Sequence, residues 1–267
     1  MTGAIAAPAG GCHLFSGCGF PAPGLQDFEW KPFFSIGSFH FTKPMLLAII
    51  SAIVVIAFFW AAFRKPKLIP GRTQSLGEMA ILGVRDQILR PSLGRKGDSY
   101  LPFLVSLFFF IYIMNLMELI PVFQFPVTSR IGFVWPMVFI VYFLYLYLGF
   151  KHQGGWGYIR NMIPPGVPAP VLIILIPVEL LRFFVFQPFT LGVRLFGNMF
   201  AGHLLLTIFI LATWYLLSFS VGLLYAAGSF ALAIFVFLLE TLVTLLQAFI
   251  FTTLTATYIA SSVEPAH

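Results

Sequence analysis

"QPFTLGVRLFGN", residues 187–198, lies where a polar turn ought to be. From residue 171 to residue 262 the chain is almost continuously apolar, long enough for four upright membrane spans of roughly 20 residues each. Four spans need three solvated turns. This stretch offers one proline and two glycines but no run of polar residues, and "SFSVGLLYAAGS", residues 218–229, interrupts the pattern only with small ones. The sequence therefore predicts two very long helices, about 171–218 and about 222–262. At 1.5 Å per residue each is on the order of 60–70 Å long, against a hydrocarbon core of roughly 30 Å. They must run steeply tilted or bent, as a hairpin. Free helices tilt by only about 20°, so a large, curved partner surface is expected along them.

Composition supports that setting. The 267 residues are 60% hydrophobic and 9% charged, with mean hydropathy +0.97, whereas soluble domains carry about 25% charged residues. The fold class is an all-α polytopic membrane protein. The formal charge of +6 then speaks to membrane topology, and nucleic acid is not an expected partner. Both cysteines, Cys12 and Cys18, fall in a Gly/Ala/Pro-rich arm. "LFSGC" has a faint lipobox character, but no apolar run of signal-peptide length precedes it. A disulfide between the two is left open.

Three further runs are individually long enough to span: 45–63, 101–120 and 131–150. The segment between the first two carries Arg64, Lys65, Lys67, Arg72, Arg85, Arg90, Arg95 and Lys96. Such a cluster belongs on the cytoplasmic side. The loop 121–130 has one cation, and the connection 151–170 again carries Lys151 and Arg160. Residues 1–44 then form an extracytoplasmic arm, 45–267 form a single membrane domain, and the C-terminus is cytoplasmic. Within the basic segment, Leu76, Met79, Ala80, Leu82, Gly83 and Ile88 gather mostly on one helical face. An amphipathic helix over about 74–90, lying along the membrane surface, accounts for that pattern.

Five charged residues lie within apolar runs: Glu118, Glu179, Arg182, Arg194 and Glu240, joined by Asn115, Asn198, His203 and Gln247. Ionisable groups at bilayer depth are costly and face a cavity, a partner or a proton path. Glu118 precedes Pro121 near the end of its span, where an interfacial location is one reading and channel lining another. Glu179 and Arg182 are spaced i,i+3 and are suited to pairing on one helix. Arg194 differs, because a guanidinium does not escape burial by losing its proton. No acid lies within fifteen positions before it or forty after it except Glu179 at the outer edge of that window. Its carboxylate has to come from Glu240 or from another subunit. Asn198 is i+4 from Arg194 and shares its face, whereas His203 is i+9 and points about 180° away. Glu240, Thr244 and Gln247 fall at i, i+4 and i+7 as one polar stripe. A histidine and a glutamate on neighbouring helices suit a proton relay; a plain helix-to-helix hydrogen bond is the alternative.

With these residues in view, the chain resembles subunit a of F-type ATP synthases over roughly residues 70–262. The most specific stretch is "LGVRLFGNMFAGH", in which Arg194 falls on the family's essential arginine and Asn198 on its asparagine. "MNLMELIP", with Asn115 and Glu118, is similar to the signature on the second span. "TLLQAFIFTTLTATYIASS" is similar to the C-terminal helix, with Gln247 on the family glutamine, and "PGRTQSLGEM" followed by "VRD" is similar to the surface helix. Some members carry Glu at the position of His203 and His at that of Glu240, so the pair here has the reversed order. Pro188 is nine positions beyond Glu179, one more than the resemblance implies.

The resemblance implies a ring of c-subunit hairpins as partner, each with one membrane carboxylate facing Arg194, together with peripheral-stalk b subunits, other ATP synthase subunits and membrane lipid. It implies an inlet half-channel past His203, Glu240, Asn198 and Gln247, and an exit to the cytoplasm by Glu179 and Arg182. Asn115, Glu118 and Thr244 are structural or channel-lining. It implies coupling of proton flow to ring rotation and ATP synthesis in a bacterial inner membrane, with no cofactor, no metal and no catalytic site in this chain. A secondary proton-coupled transporter is the alternative reading, since transporters also keep Arg and Glu at broken helices. Such proteins usually carry internal repeats, and the two halves here differ in helix length and charge. An intramembrane enzyme is disfavoured because Asp occurs only at positions 27, 86 and 98, all outside the spans.

Overall fold

The computed structural model describes residues 34–36, 39–120, 123, 125–154, 157–158, 169–217 and 221–263. Most of the N-terminal arm, with Cys12 and Cys18, lies outside the described residues, as does Arg160. The arm's described end is a short antiparallel ribbon, β1 (Phe34–Ile36) with β2 (Phe39–Phe41), pairing Phe34 with Phe41. It leads into α1 (Lys43–Phe63), which Pro44 opens in its first turn, where a missing N–H costs nothing.

Among the described residues, five helical stretches are long and apolar enough to cross a membrane: Lys43–Phe63, Arg72–Leu116, Ile131–Gln153, Val171–Leu216 and Gly222–Val263. The second is not straight. It comprises α2 (Arg72–Val84), a π turn (Arg85–Leu89), the one-turn α3 (Arg90–Leu93), a 3-10 segment (Gly94–Tyr100) and α4 (Leu101–Leu116). Gly94 sits at φ +60°, a conformation an L side chain resists, and there the surface segment turns into the span. On α2 the residues turned inward are Gln74, Gly77 and Val84. A side chain at Gly77 would press on Ala62 and Phe63 of α1. The predicted apolar face divides: Leu76, Met79 and Leu82 are exposed, whereas Ile88 packs into the core. Gln74 closes the preceding loop by bonding both the N–H and the C=O of Lys67, at 3.0 and 3.1 Å.

The span expected over 101–120 ends as a helix at Leu116, with turns over 117–119. Helix α5 (Ile131–Gln153) passes through Pro136 and stops at Gly154, whose φ of +72° is one that glycine adopts readily. The last third is the predicted pair of long helices. First come α6 (Ala169–Leu181), a π turn (Arg182–Phe186) and α7 (Gln187–Leu216), and then α8 (Val221–Val263). Their apolar runs of 46 and 42 residues are about twice what an upright crossing needs, so burying them in lipid demands an oblique path.

The most extensive packing is between α7 and α8. On α7 the buried row is Leu191, Gly192, Leu195, Met199 and Gly202. On α8 it is Ala226, Ser229, Ala233, Val236, Glu240, Thr244, Gln247, Phe251 and Thr255, a seam of i,i+3 and i,i+4 steps. Small residues let the backbones approach, as they do in membrane helix pairs, and Ser229 donates across the seam to the Phe209 carbonyl at 2.9 Å. The far end of α8 is tied down by α5. Gln153 donates to the carbonyls of Ser261 and Ser262 at 3.3 and 2.9 Å, which the helix itself leaves without partners.

Candidate functional site

The polar residues of the apolar runs separate into three places. The first is a buried cluster contributed by three elements. Glu118, in the turn after α4, is 3% exposed, and Glu240 on α8 is 1% exposed. His203 Nδ1 on α7 is 2.9 Å from Glu118 Oε1, a contact across 85 positions of sequence. The Glu240 carboxyl stands against that of Glu118, and Glu118 Oε2 and Glu240 Oε1 have no hydrogen-bond partner among the described residues. His203 and Glu240 are thus linked through Glu118 rather than forming an isolated pair. Whatever its depth in the membrane, the Glu118 side chain is enclosed by protein.

Two features shape this cluster. A Cβ built on Gly202 would overlap the Glu240 carboxyl group, so the absence of a side chain on α7 is what admits the acid. The Phe125 ring meets the His203 imidazole edge-on, with centroids 5.8 Å apart, restricting the ring's tilt from the other side. Asn115 holds the neighbouring turn, since Thr128 Oγ1 donates to its Oδ1 at 2.5 Å. Thr244 turns its hydroxyl back onto the Glu240 carbonyl at 2.8 Å, a bond within the helix.

The second place is the bridge between α7 and α8, where Asn198 Nδ2 donates to Gln247 Oε1 at 2.8 Å. Gln247 is buried and its Nε2 has no partner among the described residues, whereas Asn198 is exposed. The bridge therefore connects the buried seam to the open side of α7. Arg194 is on that open side, one turn away and exposed. Among the described residues no carboxylate pairs with it. Glu240 is engaged in the buried cluster, so the intramolecular partner considered for Arg194 falls away. The third place is at the other end, where Arg182 Nε bonds Glu179 Oε2 at 2.7 Å with Arg182 largely exposed. No group of three or more metal-binding side chains occurs among the described residues.

Sequence reasoning placed Glu240, Thr244 and Gln247 on one stripe, and the stripe faces inward as part of the helix seam. It missed Gly202 and the direct bond from Glu118 to His203. The only sequence signals were the glycine immediately before His203 and the i,i+3 spacing of Asn115 and Glu118.

These features define a class: a polytopic membrane protein whose buried polar side chains continue across a helix pair to a cation on an open face. Residues 45–260 match the family described as ATP synthase A chain, and the chain belongs to that family. It is similar to the ATP synthase subunit a of Streptomyces lividans, at 44% identity over 260 residues covering 96% of this chain and 92% of the relative. It is also similar to the subunit a of Frankia alni, at 38% identity over 250 residues (91% and 86%), and to that of a Nocardioides species, at 37% over 268 residues (94% and 96%). The transporter alternative gains no support from these relatives.

Proposed function

We propose that this chain is the ring-facing stator of the membrane sector and carries both half-channels. The observation behind this reading is Arg194, a permanent cation exposed on an apolar helix face with no carboxylate paired to it among the described residues. A cation at bilayer depth requires an anion, and a rotating ring of c-subunit hairpins, each with one membrane carboxylate, supplies it in turn. Protons enter from the extracytoplasmic side at Glu118, His203 and Glu240, which are close enough to share them. The Asn198–Gln247 bridge leads from that cluster to the ring face. Arg194 draws a ring carboxylate into its ionised form and, as a fixed charge, repels any proton that would pass straight across. The released proton leaves to the cytoplasm by Glu179 and Arg182. Each charge moved is worth about 2.3 kcal/mol per 100 mV, and the ring converts that into torque.

The same reading puts the basic segment 64–100 on the cytoplasmic side of a bacterial inner membrane, with the N-terminal arm outside. Peripheral-stalk b subunits and the remaining ATP synthase subunits are the other partners. A cysteine at position 99, in a chain with Cys12 and Cys18 replaced, should react with an impermeant reagent only from the cytoplasmic face; reaction from outside intact cells reverses the topology. The functional test is Arg194→Ala, assayed in vesicles of equal complex content. Coupled ATP synthesis should vanish while passive proton conductance persists or rises. Retained coupled synthesis would overturn the gate reading.

A further inference from the structure

The π turn Arg182–Phe186 occurs in the helix that carries Arg194, between that residue and the Glu179–Arg182 ion pair. In a π turn each N–H reaches the carbonyl five residues back, which takes about one more residue per turn than an α-helix. Here the Gln187 N–H reaches the Arg182 carbonyl. The next carbonyl, that of Phe183, would take its bond from residue 188, which is a proline without an N–H. The Tyr145 hydroxyl of α5 donates to it instead, at 3.4 Å. Tyr145 is itself enclosed, with the Phe183 ring edge-on at 5.3 Å and the Tyr258 ring at 5.8 Å. Proline and tyrosine together hold the wide turn at this place.

Its consequence is helical phase. Arg182 is twelve positions and Glu179 fifteen positions before Arg194. At about 100° per residue, an unbroken α-helix would leave Arg182 about 120° and Glu179 about 60° away from Arg194, on one side of it. With one residue absorbed in the π turn, the separations act as about eleven and fourteen, and the pair falls within about 20° and 40° of Arg194. Gln187, Thr190 and Asn198, in regular α-helix with Arg194, also lie within about 40° of it. Exposure agrees for four of the six: Arg182, Thr190, Arg194 and Asn198 are exposed, Glu179 and Gln187 are half-buried, and Phe183 is buried.

We infer that the π turn is a register correction that aligns Glu179 and Arg182 with Gln187, Thr190, Arg194 and Asn198 in one continuous polar stripe along the open face. Phe183, Phe184, Val185 and Phe186 of the turn, with Pro188 and Tyr145, are positioning residues that touch neither the ring nor the proton. The stripe deepens the proposed exit path and rests on it for its functional meaning, but its geometry is independent of that reading.

Two measurements test it. In the full-length chain without Cys12 and Cys18, single cysteines at 179, 180, 182 and 183 are exposed to a small thiolate-specific reagent. The register correction predicts labelling at 179 and 182 and protection at 180 and 183. An unbroken helix shifts the pattern by one, to 180 and 183, and that result overturns the inference. For function, deleting Val185 removes the surplus residue and lets the helix close as α without turning Glu179 away from the stripe. Proton pumping driven by ATP should survive that deletion, whereas inserting one alanine after Val185 should abolish it at equal complex content. Equal loss in both variants contradicts the proposal. An Arg194→Ala chain that still pumps would instead remove the functional reading while leaving the labelling pattern intact.

Discussion

Arg194 and His203 share one helix and are nine positions apart, yet His203 meets an acid and Arg194, among the described residues, does not. His203 is enclosed by Glu118, the Phe125 ring and, beyond Glu118, the Glu240 carboxyl, which fits against Gly202. Three separate segments converge to make that cluster, in which Glu118 Oε2 and Glu240 Oε1 have no hydrogen-bond partner among the described residues. Arg194 projects from the same helix onto a face whose neighbours Val193 and Phe189 are exposed apolar groups. Burying a charge without its counterion is far more costly than burying a paired one. The difference teaches where the proposed assembly would begin: on the reading above, the inlet lies within the chain and the gate is finished by the ring.

Substitutions should follow that division. Removing the Arg194 charge has the largest effect, on coupling rather than on folding. Within the self-contained cluster, Glu240→Leu should slow ATP-driven pumping by about tenfold or more, as loss of a positioned proton carrier does, while the complex still assembles. Exchanging His203→Glu together with Glu240→His should recover more activity than either change alone, because both residues contact Glu118 and their effects are coupled. Strictly additive losses in the pumping assay would break the cluster into unrelated residues. Gly202→Ala is milder. The new methyl group displaces the Glu240 carboxyl, an overpacking that typically costs about 1–3 kcal/mol. Less subunit should therefore accumulate in membranes, with slower inlet flux per assembled complex; an unchanged flux and content would show that the close approach is not needed.

The two regions also differed in how well the sequence revealed them. Arg194 stood out because no acid lies close to it in a long apolar run, and the absence of solvated turns foretold the paired long helices around it. Local pattern was enough for both. The cluster required knowing which helices touch. Helical phase put Glu240, Thr244 and Gln247 on one face, but it does not say that Glu118, 85 positions before His203, swings into the same place. That contact depends on α4 ending at Leu116, four residues earlier than the apolar run suggests, so that Glu118 leaves the helix and turns inward. Gly202 was equally hidden, since a glycine in a membrane helix is ordinary until its neighbour is known. The surplus position between Glu179 and Pro188 was visible in sequence, and its absorption by a π turn was not.

The claim that Arg194 faces a partner while His203 does not can be tested by position-specific photo-crosslinking in the assembled complex. A photoreactive residue at Val193, on the open face beside Arg194, should form adducts with the small ring-forming proteolipid. The same group at Ile56, on the exposed face of α1, should not. If Val193 yields only lipid adducts while the complex remains intact, the open face is not the ring surface, and Arg194 must find its carboxylate elsewhere.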